Sequence, residues 1–330
     1  MSAKMKRREF ITLLGGAAVA WPLGGRAQQG EQMRRIGVLM PATADDPEFQ
    51  ARVGAFLQAL ALSDWTIGAN VRIDAHWAGA DAANIRRHAA ELVALAPDVI
   101  LAYGASTVRP LLQATRTVPI VFPVVGDPVG AGVVSNLARP GGNVTGISSL
   151  QTELIAKRLE VLKTLAPAVR RVWLIYYQVD LGTTPMVTKA LEAAQRMKIE
   201  LSPKGLIDAA DLKRVLNEVR PGDALLAPEG SNPDLTIAII ERSRALRVPA
   251  VFGTALWVGY GGLISYGPDY YAQGIQAAGL VAKILRGTRP QDLPVEGAEK
   301  IDLAVNLKTA ELLGLTVPRK ILLRADAFRR

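Results

Sequence analysis

The sequence predicts an α/β protein made of two doubly wound parallel-sheet lobes. Three observations point there. Short, wholly apolar runs alternate with segments of helical periodicity. Runs apolar on both faces suit parallel strands covered by helices on each side. The rhythm then restarts after a passage rich in Pro and Gly, and 330 residues suffice for two domains.

The first set opens with the strand Arg35–Pro41. A helix over Pro47–Leu62 follows, with Phe49, Val53, Phe56, Leu57 and Leu60 at helical spacing. Val71–Trp77 alternates as a strand, and Ala82–Ala96 carries Ile85, Ala89, Leu92 and Ala96 on one helix face. Asp98–Tyr103 and Pro119–Val125 read as buried strands flanking a helix over Ser106–Thr115. Ala138–Gly146, with Pro140, Gly141 and Gly142, reads as a turn or a crossover.

The second set begins with the strand Arg171–Tyr177 and the helix Pro185–Met197, where Pro185 suits a first turn. Strands at Ile199–Pro203, Ala224–Pro228 and Pro249–Phe252 alternate with helices at Ala209–Val219 and Asp234–Leu246. After Gly259–Gly262 come a strand to Tyr266 and a helix over Tyr270–Leu285. Ile301–Val305 and Leu307–Leu313 supply a last strand and helix.

Residues 4–8 are mostly basic, Phe10–Leu23 is apolar, and Gly25–Ala27 is small apart from Arg26. That order describes a secretory signal ending at Ala27, with too short an apolar stretch to span a bilayer. Arg7-Arg8-Glu9-Phe10-Ile11 resembles a twin-arginine signal; an ordinary signal with chance arginines is the alternative. The segment carries four of the nine net positive charges, leaving five on the remaining 303 residues. Those basic residues are scattered without interleaved aromatics, so nucleic-acid binding is not expected. Without cysteine there is no disulfide, thiolate metal site, cysteine nucleophile or lipid anchor.

In open α/β sheets ligands bind beyond the carboxyl ends of the strands. Those ends offer Ala42 and Thr43, Tyr103 with Ser106 and Thr107, Asp127, Tyr177 with Gln178, Glu229 and Thr254. Free N–H groups opening the helix after Gly104 suit a carboxylate, although Ser106 or Thr107 could equally cap that helix. Asp127 could hold an ammonium group or cap a helix starting near Pro128. Tyr103, Tyr177, Trp257 and Tyr266 could wall an apolar ligand, against a reading as core.

Enzyme signatures are missing. Arg35–Pro41 is not followed by Gly-x-Gly-x-x-Gly, and no phosphate loop, nucleophile elbow or His-Glu-x-x-His occurs. The two histidines, His76 and His88, read as solvated surface residues, so no catalytic residue, metal or cofactor is expected.

The chain resembles the bacterial ABC transporter substrate-binding protein family that includes the tryptophan- and tyrosine-associated binding proteins. The resemblance rests on Lys6–Ile11, Arg35–Leu39, Asn70–Asp74, Pro97–Ala102, Asp127–Gly132, Ala138–Gly146, Gly261–Gly267, Asn306–Ala310 and Leu313–Pro318, and covers nearly the whole chain. Two positions depart from the family pattern. Ala105-Ser106 stands where a Thr-Pro pair is common, and Tyr177-Gln178 where Asn-Pro is common.

The resemblance implies a type I periplasmic binding protein, with residues 28–142 and 255–296 forming the first lobe and 143–254 and 297–330 the second. It places three hinge segments near Asn143–Gly146, Gly253–Thr254 and Pro294–Glu299. It implies a monomeric periplasmic receptor that closes on a small amino-acid-like or aromatic carboxylate ligand and docks on an inner-membrane ABC permease. A periplasmic sensing module for a signalling receptor is the alternative. A sugar-responsive DNA regulator is disfavoured by the expected signal segment and the missing helix-turn-helix.

Overall fold

The computed structural model describes residues 33–177, 183–227 and 233–329. The expected signal segment, Gln178 and Glu229 lie outside the described residues.

The first half runs β1 (Arg34–Met40), α1 (Pro47–Ala61), β2 (Val71–Trp77), α2 (Ala82–Ala94), β3 (Val99–Ala102), α3 (Ala105–Ala114), β4 (Ile120–Val125) and β5 (Val144–Ser148). Then follow α4 (Gln151–Leu165), β6 (Arg171–Tyr177), α5 (Thr183–Arg196), β7 (Glu200–Leu206), α6 (Ala209–Glu218) and β8 (Ala224–Leu226). The remainder is α7 (Pro233–Leu246), β9 (Ala250–Phe252), α8 (Ala255–Gly259), β10 (Ile264–Pro268), α9 (Tyr270–Leu285), β11 (Glu296–Gly297), β12 (Ile301–Asn306), α10 (Leu307–Leu312), α11 (Arg319–Leu322) and β13 (Ala327–Arg329).

Two sheets result. The first has the order β11-β5-β4-β3-β1-β2 and is parallel throughout. The second, β13-β12-β10-β9-β8-β6-β7, is parallel except where β10 meets β12. Each contains the same doubly wound core, with its second strand at one edge and its first strand inside. The two-lobe α/β class is the one expected.

Period-two alternation explains why the strands read as continuous apolar runs. Ile36, Val38 and Met40 of β1 join one core layer with Val99 and Leu101 of β3. Leu39, Ile100 and Ala102 join the layer on the opposite face. The second sheet is likewise covered on both faces. Helix starts follow from local chemistry. Asp46 accepts hydrogen bonds from the Glu48 and Phe49 N–H groups to cap α1, and Asp269 accepts from Tyr271 and Ala272 to cap α9. Proline within strands falls where the ladder tolerates it. Pro203 lies in the edge strand β7, and Pro123 at a register shift between β4 and β5.

Sheet membership corrects the expected boundaries. Val144–Gly146 is not a crossover but part of β5, which pairs with β4 in the first sheet. Gly146 permits that pairing, because a Cβ there would strike the Phe122 carbonyl. Gly253 and Thr254 lie between β9 and α8 and do not carry the chain between sheets. Residues 255–268 contain α8 and β10, and β10 hydrogen-bonds in the second sheet rather than the first. The chain passes between the sheets at residues 149–150, at Asp269 and at residues 298–300.

These three segments are joined side by side. The Ser149 hydroxyl and Gln273 side chain exchange hydrogen bonds at 3.3 Å. The Ala298 N–H donates to Ser148 at 2.9 Å, and the Asp269 N–H donates to Lys300 at 3.0 Å. The Lys300 ammonium also reaches the Asp269 carboxylate at 2.6 Å. Burial alone would raise that carboxyl, but the Lys300 bond and the α9 N–H groups hold it below the usual range.

Candidate functional site

A cavity of about 370 Å3 opens beyond the carboxyl ends of the strands. Pro41 follows β1, and Tyr103, Gly104 and Ser106 follow β3, so the first sheet contributes its topological switch point. The α1 start adds Asp46, Glu48, Phe49 and Arg52, and α9 adds Tyr270. The second sheet contributes the segment after β9, through Thr254, Leu256, Trp257 and Tyr260. The volume lies in the lower part of the range for small-molecule sites, roughly 300–1,000 Å3.

Arg52 is the main electrostatic feature. It sits three residues after Phe49 on the buried face of α1 and is only 8% exposed. Its guanidinium carbon lies 4.6 Å from the Phe49 ring centre and 4.9 Å from that of Tyr270. These rings hold the cation in place by stacking. Its Nε is shielded from solvent yet has no hydrogen-bond partner among the described residues. A buried charged donor in that condition is costly unless an acceptor arrives.

Across the cavity the Thr254 hydroxyl is also buried and without a partner, although Thr254 stands at the start of α8. Unmatched polar atoms therefore come from both sheets. The aromatic wall is extensive. Tyr103 is 2% exposed, lies edge-on to Phe49 with ring centres 6.3 Å apart, and donates its hydroxyl to the Arg52 carbonyl at 3.4 Å. Burial pushes its ionisation well above the usual tyrosine range. Trp257 and Tyr260 form a tilted pair 5.8 Å apart. Glu48 brings a carboxylate to the rim and accepts from the Tyr271 hydroxyl at 2.7 Å.

Of the residues chosen from strand ends, the structure brings Tyr103, Ser106 and Thr254 to this cavity, together with Trp257. Ser106 does not cap α3, whose N-cap is Gly104 with no side-chain bond. Thr107 is fully buried and donates back to the Tyr103 and Gly104 carbonyls. Among the described residues no helix starts near Pro128; Asp127 instead caps a turn there, accepting from the Gly130 N–H at 2.8 Å, and also accepts from the Thr152 hydroxyl at 3.4 Å. Ala42 is core, and Thr43 is exposed in the loop before α1. Tyr177 packs on the second-lobe core, where burial pushes its hydroxyl up to about 12, and Tyr266 packs on the opposite layer. None of these five candidate positions nor Tyr266 lines the cavity.

Phe49, Arg52, Tyr260 and Tyr270 were not anticipated by the strand-end rule. The signal for Arg52 was present: a cation occupying an apolar helical stripe between Phe49 and Phe56. The histidines also depart from expectation. They are not simply solvated, for the two rings meet with their Nδ1 atoms 2.9 Å apart.

Known proteins place this geometry in context. A structure from Vibrio cholerae O1 biovar El Tor, described as a conserved domain protein, is 28% identical with a TM-score of 0.83, matching 90% of this chain and 100% of that one. An ABC domain from Streptococcus pneumonia in complex with L-Trp is 22% identical with a TM-score of 0.79, matching 89% and 99% of the two chains. The fold is thus that of the type I periplasmic binding proteins. The tyrosine-binding protein of Clostridioides difficile strain R20291 is 26% identical over 287 residues, or 86% of this chain and 82% of that protein. No helix among the described residues is long and apolar enough to cross a membrane. The family model described as ABC transporter substrate binding protein matches residues 35–329, and the chain belongs to that family.

Proposed function

We propose that the protein is an exported receptor for an ABC importer, and that it captures an aromatic amino acid or a related aromatic carboxylate. The observation that carries this reading is Arg52, a buried cation with an unmatched donor, fixed between two rings in an aromatic cavity. A carboxylate satisfies the guanidinium, an aromatic group fills the space among Phe49, Tyr103, Trp257 and Tyr260, and Asp46 or Glu48 can face an ammonium group. The names of the relatives agree: one is called tyrosine-binding, and another was crystallised with L-Trp.

Residues from both sheets line the cavity, so ligand favours the conformation in which the lobes approach. Rotation occurs about residues 149–150, Asp269 and 298–300, and the closed form docks on an inner-membrane permease. Residues 1–27 direct export and are removed.

Thermal-shift titration with L-tryptophan, L-tyrosine, L-phenylalanine and their deaminated acids, beside aliphatic amino acids, tests the ligand class. A bound compound at 100 times its dissociation constant adds about 2.7 kcal/mol of stability. The aromatic series should raise the melting temperature, and the radius of gyration should fall at saturation. No shift with any aromatic compound at millimolar concentration would overturn the ligand assignment. A shift without compaction would overturn lobe closure.

A further inference from the structure

We infer that His76, His88 and Glu91 form a binding site for a borderline divalent transition-metal ion of the zinc class, on the outer edge of the first lobe. These are the only two histidines in the chain, and they come from different elements: His76 from the edge strand β2, His88 from α2. Glu91 lies one turn beyond His88 on the same helix.

The three donor atoms already approximate a coordination face. The two Nδ1 atoms are 2.9 Å apart, and the Glu91 Oε2 lies 3.6 Å from His76 Nδ1 and 3.2 Å from His88 Nδ1. An ion with tetrahedral bonds of about 2.0–2.1 Å sets neighbouring donors roughly 3.3 Å apart. The triangle needs only small side-chain rotations to accept it. The histidine side chains are 22% and 19% exposed and that of Glu91 is 44% exposed, so the pair is held while one side stays open to solvent. That opening gives an entry path and a fourth position for water. Two imidazoles with one carboxylate suit zinc, nickel or copper, whereas calcium and magnesium prefer oxygen alone.

Arg87 sets the resting state. Its guanidinium donates to Glu91 Oε1 at 2.8 Å and to His88 Nε2 at 3.0 Å. Arginine only donates, so His88 Nε2 accepts; in the neutral ring Nδ1 then carries the proton and gives it to His76 Nδ1. When an ion binds both Nδ1 atoms, the His88 proton moves through solvent to Nε2. Arg87 Nη2 then leaves that nitrogen. Its side chain is 55% exposed and can turn outward. Asp74, on the same strand as His76, adds negative potential that partly opposes the Arg87 charge. Arg87 is thus a competitor of the ion, a feature that a purely structural histidine pair would not show. The bound ion would tie the edge strand to α2, whose Ile85 lines the cavity one turn before His88.

Calorimetric titration of the protein, freed of any affinity tag, with Zn2+ and with Mg2+ tests this. One Zn2+ per chain should bind, and Mg2+ should not. His76→Gln and His88→Gln should each weaken Zn2+ by at least about tenfold, and Arg87→Ala should tighten it several-fold. Circular dichroism establishes that the variants are folded. Independently of any variant, Co2+ added to the parent should give the intense visible bands of tetrahedral coordination. Stoichiometry far below one, or unchanged affinity in the double histidine variant, would overturn the site, as would Zn2+ binding that Arg87→Ala weakens.

Discussion

The two sheets share one winding, yet among the described residues they contribute unequally to the cavity. The first supplies a cation, a carboxylate rim and three aromatic rings from four separate segments: the loop after β1, the start of α1, the turn after β3 and the start of α9. Among the described residues, the second supplies one segment, Thr254–Tyr260. A repeated topology therefore fixes where a ligand can sit without fixing which half holds its charge. Under the proposed function, this difference assigns the polar end of the ligand to the first lobe and the covering wall to the second.

The largest expected effect falls on the anchoring side. Arg52→Ala removes a charged hydrogen-bond donor, an interaction worth about 1.5–3 kcal/mol. Affinity for an aromatic carboxylate should fall roughly 10- to 150-fold by calorimetry. Arg52→Lys should recover little, because an ammonium lacks the planar donor fork and stacks poorly between Phe49 and Tyr270. If affinity survives both changes, the first lobe is not the anchor and the comparison fails.

On the covering side the losses should be smaller. Tyr260 is 55% exposed and touches Trp257, so Tyr260→Ala leaves the core intact. It removes one aromatic wall, worth about 0.5–1.5 kcal/mol, or up to roughly tenfold in affinity. An unchanged melting temperature without ligand, beside weakened binding, is the expected pattern. A loss larger than that of Arg52→Ala would reverse the roles assigned to the two lobes.

Thr254→Val sharpens the same point with nearly the same shape. The buried hydroxyl has no partner, so replacing it should leave the unliganded protein as stable or slightly more stable. Binding should weaken by about 1 kcal/mol if the hydroxyl meets the ligand. If only stability changes, Thr254 belongs to the wall but makes no polar contact.

Neither half is uniformly legible in the sequence. Strands β1, β3, β4 and β6 were legible because both faces are buried and the runs stay apolar. Strand β5 was not, since its short Val-Thr-Gly-Ile-Ser run gains its meaning from the approach of Phe122 to Gly146. Helix α4 went unread even though Leu154, Ile155, Leu159, Leu162 and Leu165 keep helical spacing; Gln151 and Arg158 are buried among them and blur the stripe. At the cavity, the strand-end rule reaches the lining residues Tyr103, Ser106 and Thr254, all in segments that directly follow strands. It could not find Arg52, Phe49 or Tyr270, which sit on helices where periodicity reads them as part of a packing face. A cation in the stripe between Phe49 and Phe56 is the one sequence signal for Arg52; its stacking and unmatched Nε are tertiary facts.

The smallest predicted effect concerns how the lobes are joined. Lys300 pairs with Asp269 where two of the three connecting segments lie side by side, and it also stands 3.6 Å from Asp302. The Asp269 carboxyl is held low and the Lys300 ammonium is held high, each favouring its charged form. Asp269 thus contributes stability above its ordinary value of 3.8, and that contribution is lost as pH falls through the lower folded value. Lys300 contributes below its ordinary value of 10.5, and its share is lost only as pH rises through the raised folded value. Asp302 works in the opposite sense at acid pH, because burial raises its carboxyl despite Lys300. The Lys300 side chain is 57% exposed, so the pair is screened and worth less than about 1 kcal/mol. Lys300→Met should lower the melting temperature slightly at pH 7. The difference from the parent should shrink as acid protonates Asp269 and Asp302, because the ammonium then has no carboxylate to face. Calorimetric scans of both proteins from pH 7 down to about pH 2.5 decide it. A gap that persists at the acid end would mean that Lys300 acts through the packing of its stem, and that charge does not join these two segments.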